Sequence, residues 1–556
     1  MWYPPLQSSG EARLLTPSTQ GIYVATAIGA SEPIARVETA TVAFVGRALR
    51  GPLHQPVAVR SFAEYQAVFG GLWQPSALSY AVEQYFENGG VLARVVRVAN
   101  GARPATLRLP TLGGQALVLE ARCPGTREFL RASVDHDNIA DTGADADVFN
   151  LVVHRVRSPG SEHVEEQEIF ARASVHPESP RNIGVLLAES ELVGLRGPVP
   201  TLRPQPTERG DLRSFAAYVA SNPDGDDGGP LTDYDVIGSA TERTGLFAFD
   251  ERDDFSFLYL PPLAREHAVG ASTLLVAARL CRTRRALLVV DPPAEWSSPL
   301  LALAGVRETP HASDQTLMYF PWVQAYDRLR GRFEQFPPGA AALGILGRLA
   351  ASSAPWAPRF PDEGPLRPGF RAACIVDDRQ RARLASAGLN VLQSVRSAKP
   401  LPARTLAGPR ATLPEWRYLG RRRLALQMVD SIVRGTRWVL FEPSVPVVWN
   451  RLARQIGDFL ASYERDGAFP DATPAAAWFV VCDERVNPPR QTPMTSVLFG
   501  YNAGREGLWI CWLVTHDPSG TRVQQTSLNQ LQSAGGRPPL DPDFDVATLM
   551  QEHFRD

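Results

Sequence analysis

Two stretches of the chain alternate strand-like and helix-like patterns. That alternation limits the fold more than any other feature, because strands separated by helices build a sheet that the helices must cover. Residues 39–46 read Thr-Ala-Thr-Val-Ala-Phe-Val-Gly, the β-branched and aromatic content of a buried strand, and Arg50-Gly51-Pro52 breaks it. Ser61 and Glu64 form a capping box, each side chain able to satisfy a backbone N–H orphaned at a helix start, and a short helix to about Phe69 follows. A second helix is expected after Ser76, with Leu78, Ala81, Val82, Tyr85 and Phe86 on one face and Gly89 as its left-handed stop. A strand at 91–98 completes a βααβ unit. The pattern resumes with a strand at 255–260, a helix at 266–282 and a strand at 286–290 closed by Asp291-Pro292-Pro293.

Between 101 and 235 the pattern changes to short strands, such as 116–121 and 149–156, separated by Gly, Pro and Asp clusters, which reads as a β-rich insertion. Residues 350–410, rich in Pro, Arg and Ala, give no assignment. Thr412 and Glu415 suggest a second capping box, with Pro414 in the first turn of a helix running to Arg434 and stopped by Gly435. A strand at 436–441, a helix at 447–465 and a strand at 477–481 make a second α/β unit, and a strand at 508–514 precedes a polar stretch and a loose tail. The fold class that results is α/β and multidomain: helix-covered mixed sheets in the core, a β-rich insertion and extended terminal arms. The boundaries expected are an N-terminal arm at 1–36, a first core part at 37–100 plus 236–310, the insertion at 101–235, a C-terminal α/β domain at 311–507, and a strand with tail at 508–556.

A length of 556 residues is too great for one ordinary domain and agrees with this division. The 57 basic and 59 acidic residues nearly cancel, so no global field draws the chain to nucleic acid or anionic lipid. Weak self-repulsion also suits a subunit that packs against copies of itself. Lys399 is the only lysine, which leaves one candidate for Schiff-base or P-loop chemistry. The cysteines, Cys123, Cys281, Cys374, Cys482 and Cys511, are odd in number and far apart, and read as reduced core thiols rather than a disulfide framework or zinc site. Residues 1–10 lack the pattern of a signal peptide, and no apolar run has the length of a membrane span.

Asp224, Asp226, Gly229 and Asp235 fall at calcium-loop spacing, but Gly228 stands at one ligand position and Asp235 replaces the bidentate Glu, so a solvated loop is the expectation. Asp135, His136, Asp137 and Asn138 could crowd a metal; without a second His at ligand spacing they read as a turn. Arg421, Arg422 and Arg423 form a basic cluster suited either to phosphate or an acidic protein face, such as that of another subunit, or to a solvated helix surface. No Gly-x-Ser-x-Gly elbow, Gly-Lys-Ser/Thr loop, His-Glu-x-x-His or Cys-x-x-Cys is present, and no cofactor is expected.

These residues resemble the tail sheath proteins of contractile phages and contractile injection systems. Gly21-Ile22-Tyr23-Val24 is similar to the family's Pro-Gly-Val-Tyr-Val segment, with Gln20 in place of the proline. Residues 41–51, 59–71, Phe86-Glu87-Asn88-Gly89-Gly90 and Arg94-Val95-Val96-Arg97-Val98 follow its N-terminal pattern in order. Residues 287–292, Tyr319-Phe320-Pro321-Trp322 and Phe336-Pro337-Pro338-Gly339 are similar to later segments, as are Ala403-Arg404-Thr405-Leu406, Glu415-Trp416-Arg417-Tyr418, Arg422-Arg423-Leu424, Trp438-Val439-Leu440-Phe441-Glu442-Pro443, Trp449 and residues 479–483. About two thirds of the chain is covered in collinear order. The family's Pro-Pro-Ser-Gly-His is here Pro-Pro-Gly-Ala-Ala, residues 340–400 diverge, and its closing segment is replaced by residues 515–530.

The resemblance implies a structural subunit, not an enzyme, that polymerises helically around an inner tube and contracts to drive the tube through an envelope. Its partners would be further copies, the tube, and baseplate and tail-terminator proteins, with no nucleic acid and no membrane insertion; assembly would be in a bacterial cytoplasm. It also implies that an N-terminal arm and a C-terminal strand reach neighbouring subunits. The matching positions are Ile22, Tyr23, Val24, Ala25 and Thr26, and Leu508, Trp509, Ile510, Cys511, Trp512, Leu513 and Val514. The alternative for the latter is a strand that folds into its own domain. A sheath-like paralogue confined to the baseplate or tail end is the second functional expectation, and a soluble α/β enzyme the third.

Overall fold

The computed structural model describes residues 32–526 apart from 141, 208–216, 251, 266, 352–353, 355, 357–364, 396–400, 470–476, 489–493 and 503–508. It divides into two compact units, Glu38–Gln427 and Met428–Asp556 with Met1–Val37.

In the larger unit, β1 (Thr41–Gly46), β2 (Val57–Val59), α1 (Phe62–Phe69), α2 (Ala77–Glu87) and β3 (Leu92–Arg97) come first. β4 (Thr106–Pro110), β5 (Ala116–Ala121), β6 (Leu130–Asp135), β7 (Val148–Val156), β8 (Val164–Ser174), α3 (Ile183–Ala188), β9 (Val193–Leu195) and β10 (Val219–Ala220) follow. Then come α4 (Asp233–Ile237), β11 (Phe257–Tyr259), α5 (Ala271–Arg284), β12 (Leu287–Val290), α6 (Pro299–Glu308), β13 (Thr316–Phe320), β14 (Val323–Asp327), β15 (Arg332–Phe336), α7 (Gly339–Ala350), β16 (Arg371–Ala372), α8 (Asp378–Ser386) and β17 (Asn390–Val391). The start of α9 (Leu419–Gly435) closes this unit.

A seven-stranded sheet in the order β17-β13-β12-β11-β1-β3-β2 is its centre, parallel except where β2 meets β3. Side chains alternate across a strand. Val42 and Phe44 therefore enter a core with Tyr85, Tyr259 and Leu346, while Ala43 and Val45 enter a second core with Leu258, Cys281, Val306 and Leu384. Burial on both faces explains why β1 reads as a continuous apolar run.

Local signals set the ends of the early helices. Ser61 Oγ accepts from the Glu64 N–H at 3.1 Å, while the Glu64 carboxylate accepts from Arg60 N at 2.7 Å, one residue before the position a strict box requires. Ser76 Oγ caps Ser79 N at 3.0 Å, and Gly89 takes a φ of 105° two residues beyond α2. Gly344 of α7 lets that helix approach α2 closely: a Cβ there would lie 2.3 Å from the Tyr85 carbonyl oxygen.

Between β3 and α4, one antiparallel sheet of order β4-β5-β9 and another of order β10-β6-β7-β8 enclose a core that includes Leu107, Leu119, Leu151, Val153 and Ile183. The chain enters and leaves this region at adjacent points, because Asn100 bridges Gly229 and Arg103 bridges Asp226. Arg97, 1% exposed, fastens it to the parallel sheet by donating to the carbonyls of Ala48 (3.1 Å), Gly51 (2.7 Å) and Pro124 (2.7 Å).

Four expectations need correction. No domain boundary falls near residue 311, because β13 and β17 extend the parallel sheet that β1, β3, β11 and β12 begin. The helix expected at 266 starts at Ala271 behind Gly270. The helix expected after Thr412 starts at Leu419: Pro414–Arg417 is a 3-10 turn, and Tyr418 stays extended because the segment pairs with residues 403–405, through Thr405 N to Arg417 O at 3.0 Å and Leu419 N to Ala403 O at 2.9 Å. The strand expected at 436–441 is a 3-10 turn, Arg437–Phe441; Thr436 Oγ1 donates back to Ile432 O at 2.7 Å and Trp438 Nε1 to Gln455 Oε1 at 2.9 Å, so Thr436, Trp438 and Val439 pack as a helical cap while Phe441 stays exposed.

Candidate functional site

The smaller unit is built on the end of α9, on α10 (Pro446–Arg465), and on a sheet of β18 (Trp478–Val481), β19 (Thr495–Asn502), β20 (Trp509–Asp517) and β21 (Gly520–Thr526), in that order and antiparallel throughout. Nearly every residue of β19 and β20 is buried. β21 alternates between exposed and half-buried positions, as a surface strand does. β20 pairs with β19 from Trp509 to His516 and with β21 from Cys511 to Asp517.

Trp509, Ile510, Cys511, Trp512, Leu513 and Val514 therefore form an interior strand of their own unit, which is the fold-back alternative; Leu508 lies outside the described residues. A strand hydrogen-bonded along both edges has no free row of donors and acceptors to exchange. Among the described residues, the edges left over are those of β18 and β21. Ile22, Tyr23, Val24, Ala25 and Thr26 also lie outside the described residues.

The segment that follows them is held in this unit by contacts that no local sequence pattern announces. The Glu32 carbonyl accepts from Gln455 Nε2 at 2.6 Å, and Ile34 packs on Gly435, whose Cβ, if present, would lie 2.8 Å from it. The Arg36 guanidinium lies over the Tyr463 ring at 4.0 Å, pairs with Asp466 at 2.7 Å and donates to Ser462 Oγ at 2.9 Å, and Val37 N donates to Ser431 Oγ at 3.0 Å. The root of the N-terminal arm and the C-terminal sheet thus belong to one unit.

His516, 2% exposed, ties the sheet to the turn after α9: Nε2 faces Thr436 Oγ1 at 3.0 Å and Nδ1 faces Thr521 Oγ1 at 2.9 Å. Burial pushes the imidazole down to about 4, against a smaller opposing pull from Asp517. The folded value lies below the unfolded one of about 6.5, so the unfolded chain takes up the proton first. Stability from this site is full above about pH 6.5 and is lost as pH falls toward 4, by up to about 3 kcal/mol. Melting temperatures measured from pH 8 to 4 should fall in that window for the native chain and much less for His516→Gln; parallel curves would count against the imidazole as the cause.

The arginine cluster is not an exposed face. Arg422 and Arg423 are 7% and 3% exposed. Arg422 pairs with Asp314 at 3.5 Å and lies over Trp416, while Arg423 donates to the Thr39 carbonyl at 3.0 Å and lies over Phe257. Only Arg421 is partly exposed. The spacing that suggested a surface cluster belongs to a helix start wedged under the parallel sheet.

The acidic positions are structural as well. Asp224 accepts from the Thr106 N–H and hydroxyl at 2.8 and 2.6 Å, Asp226 pairs with Arg103 at 3.0 Å, and Asp235 caps α4 through Thr232, so they do not converge on a common point. Asp135 accepts from Asp137 N and Asn150 Nδ2, and Asn138 has a φ of 60°, which makes this segment a turn. All five cysteines are free.

A crevice of about 410 Å³ lies beyond the ends of β11 and β13, beside Tyr80, Tyr259, Trp322 and Phe336. Such crevices hold ligands in many open α/β sheets. Here the carboxylates nearby are engaged within the fold: Asp327 accepts from Tyr80 at 3.2 Å and pairs with Arg265, and Asp291, pushed up to about 6 by burial, accepts from Tyr259 at 2.7 Å and from Gly339 N at 2.8 Å. Among the described residues no helix is long and apolar enough to cross a membrane.

No protein-family model and no curated protein matches the sequence. Solved structures do. The sheath tail protein of Listeria innocua matches over 87% of this chain and 97% of its own, at 13% identity and a TM-score of 0.56. The sheath tail protein of Desulfitobacterium hafniense (13% identity, 91% and 100% covered, TM-score 0.47) and the contracted PVC sheath complex of an extracellular contractile injection system (14%, 92% and 95%, 0.47) match over similar lengths. The chain has the fold of the Listeria sheath tail protein.

Proposed function

We propose that this chain, folded as a sheath tail protein, is a structural subunit that polymerises helically around an inner tube and contracts to drive the tube through a target envelope. Extensive likeness to a sheath tail protein gives the fold, and the observation that carries the function is the arm root held at Arg36 in the unit that also contains the β18–β21 sheet. An arm leaving that root, with Ile22 to Thr26 as its β-capable strip, can add to a sheet edge of a neighbouring copy, and β18 and β21 are the edges on offer. Each junction would supply a few backbone hydrogen bonds of roughly 0.5–1.5 kcal/mol net, and the lattice multiplies them. Contraction would then release conformational energy trapped in the extended lattice, with no nucleotide or cofactor. Assembly would take place in a bacterial cytoplasm, with baseplate and tail-terminator proteins closing the two ends.

A second reading has its own observation: β21 already covers one edge of β20 within the chain. A sheath-like paralogue confined to the baseplate or tail end would fold so and not self-polymerise.

The β-rich region, on the first reading, faces outward and is dispensable for assembly. Because residues 100 and 229 already bridge, excising 101–228 with a two-glycine link should leave the parallel sheet folded and polymers intact by electron microscopy. A variant that folds but does not polymerise would place this region in the lattice.

A further inference from the structure

A groove of about 510 Å³ runs between α6, α8 and the turn at Gly408–Arg410. Leu303, Ala387 and Pro409 line its floor, and Arg307, Arg383 and Arg410 stand around it, all three exposed. Some surface arginines of this chain sit beside a carboxylate, as Arg328 does at Glu87, 2.6 Å, and Arg332 at Glu334, 2.6 Å. These three do not. Among the described residues none has a carboxylate within ion-pair distance; Arg410 alone is engaged, at 3.4–3.5 Å, by the carbonyls of Val306 and Arg307 at the end of α6. Three guanidinium groups around an apolar floor, without internal counter-charge, form a surface for an acidic segment that also carries an apolar anchor, since guanidinium forks match carboxylates bidentately.

The chain contains such a segment. Beyond β21, which ends at Thr526, residues 538–546 read Pro-Pro-Leu-Asp-Pro-Asp-Phe-Asp-Val: Asp541, Asp543 and Asp545 without an intervening base, and Leu540 and Phe544 between them. We propose that the groove binds residues 538–546 of a neighbouring copy, with the aspartates on Arg307, Arg383 and Arg410 and the apolar side chains on Leu303, Ala387 and Pro409. The residues between Thr526 and Pro538 can span up to about 40 Å when extended. Placing the neighbour there rests on the polymeric reading above; the affinity of groove for segment does not.

A fluorescein-labelled peptide of residues 536–548, titrated into the full-length protein and followed by anisotropy, separates the two. The expected result is saturable binding that weakens at least about tenfold in Arg307→Glu/Arg383→Glu, weakens similarly when the three aspartates of the peptide become asparagine, and declines with salt. Equal binding by a scrambled peptide of the same composition, or tighter binding of a thymidine oligonucleotide through the same arginines, would overturn the assignment. To test the neighbour's role, the groove variant is mixed with a full-length chain carrying Asp541→Arg, Asp543→Arg and Asp545→Arg: restored association by light scattering supports exchange between copies, and no gain over either variant alone would overturn it. Peptide binding without polymers would remove the sheath reading and leave the groove; polymers without peptide binding would do the reverse.

Discussion

Removal of residues 1–26 is expected to abolish polymers while leaving the fold intact. The truncation takes away Ile22 to Thr26, the only β-capable strip in the arm, and spares the root, whose contacts through Glu32, Ile34, Arg36 and Val37 lie beyond the cut. A junction of a few hydrogen bonds is individually weak, but a lattice that loses it at every subunit loses the avidity that holds its rows together. Circular dichroism and melting temperature should match the full-length chain, while electron microscopy should show single particles at concentrations where the full-length chain forms cylinders. Cylinders from the truncated protein would remove the arm from the mechanism.

Arg97→Met is expected to destabilise the parallel-sheet unit strongly. The side chain is buried and its three donors satisfy three carbonyls, two in the loop after β1 and one at Pro124 in the β-rich region. An aliphatic replacement leaves those acceptors buried without partners, at about 1–3 kcal/mol each before water enters. A net loss of about 3–5 kcal/mol, comparable to breaking a buried pair, should lower the melting temperature by roughly 5–10 °C. Arg97→Lys should recover little, because one ammonium cannot reach three carbonyls set in a fork. A loss under about 1 kcal/mol would show that water replaces the guanidinium.

The parallel core was legible because its signals are local. Ser61, Ser76 and Gly89 set helix ends, and β1 and β12 are apolar runs that only a sheet covered on both faces can bury. What failed did so for tertiary reasons. Thr436 to Phe441 has strand composition, yet a hydrogen bond from Thr436 to α9 and another from Trp438 to α10 turn it into a 3-10 cap. Arg422 and Arg423 have the spacing of a basic patch, but burial against Trp416 and Phe257 makes them part of the interior. Trp509 to Val514 is a strand as expected, and its interior position follows from β21, whose polar sequence, Gly-Thr-Arg-Val-Gln-Gln-Thr, gave no strand signal of its own. The arm root escaped notice because its partners, from Ser431 to Asp466, are some four hundred residues away in the chain. The groove at Arg307, Arg383 and Arg410 escaped it for the same reason: its three arginines come from three separate segments.

Negative-stain electron microscopy of the purified full-length protein, alone and with its tube partner, tests the central claim most directly. The account predicts hollow, striated cylinders; monodisperse particles under both conditions would contradict self-assembly and favour a paralogue confined to one end of the tail.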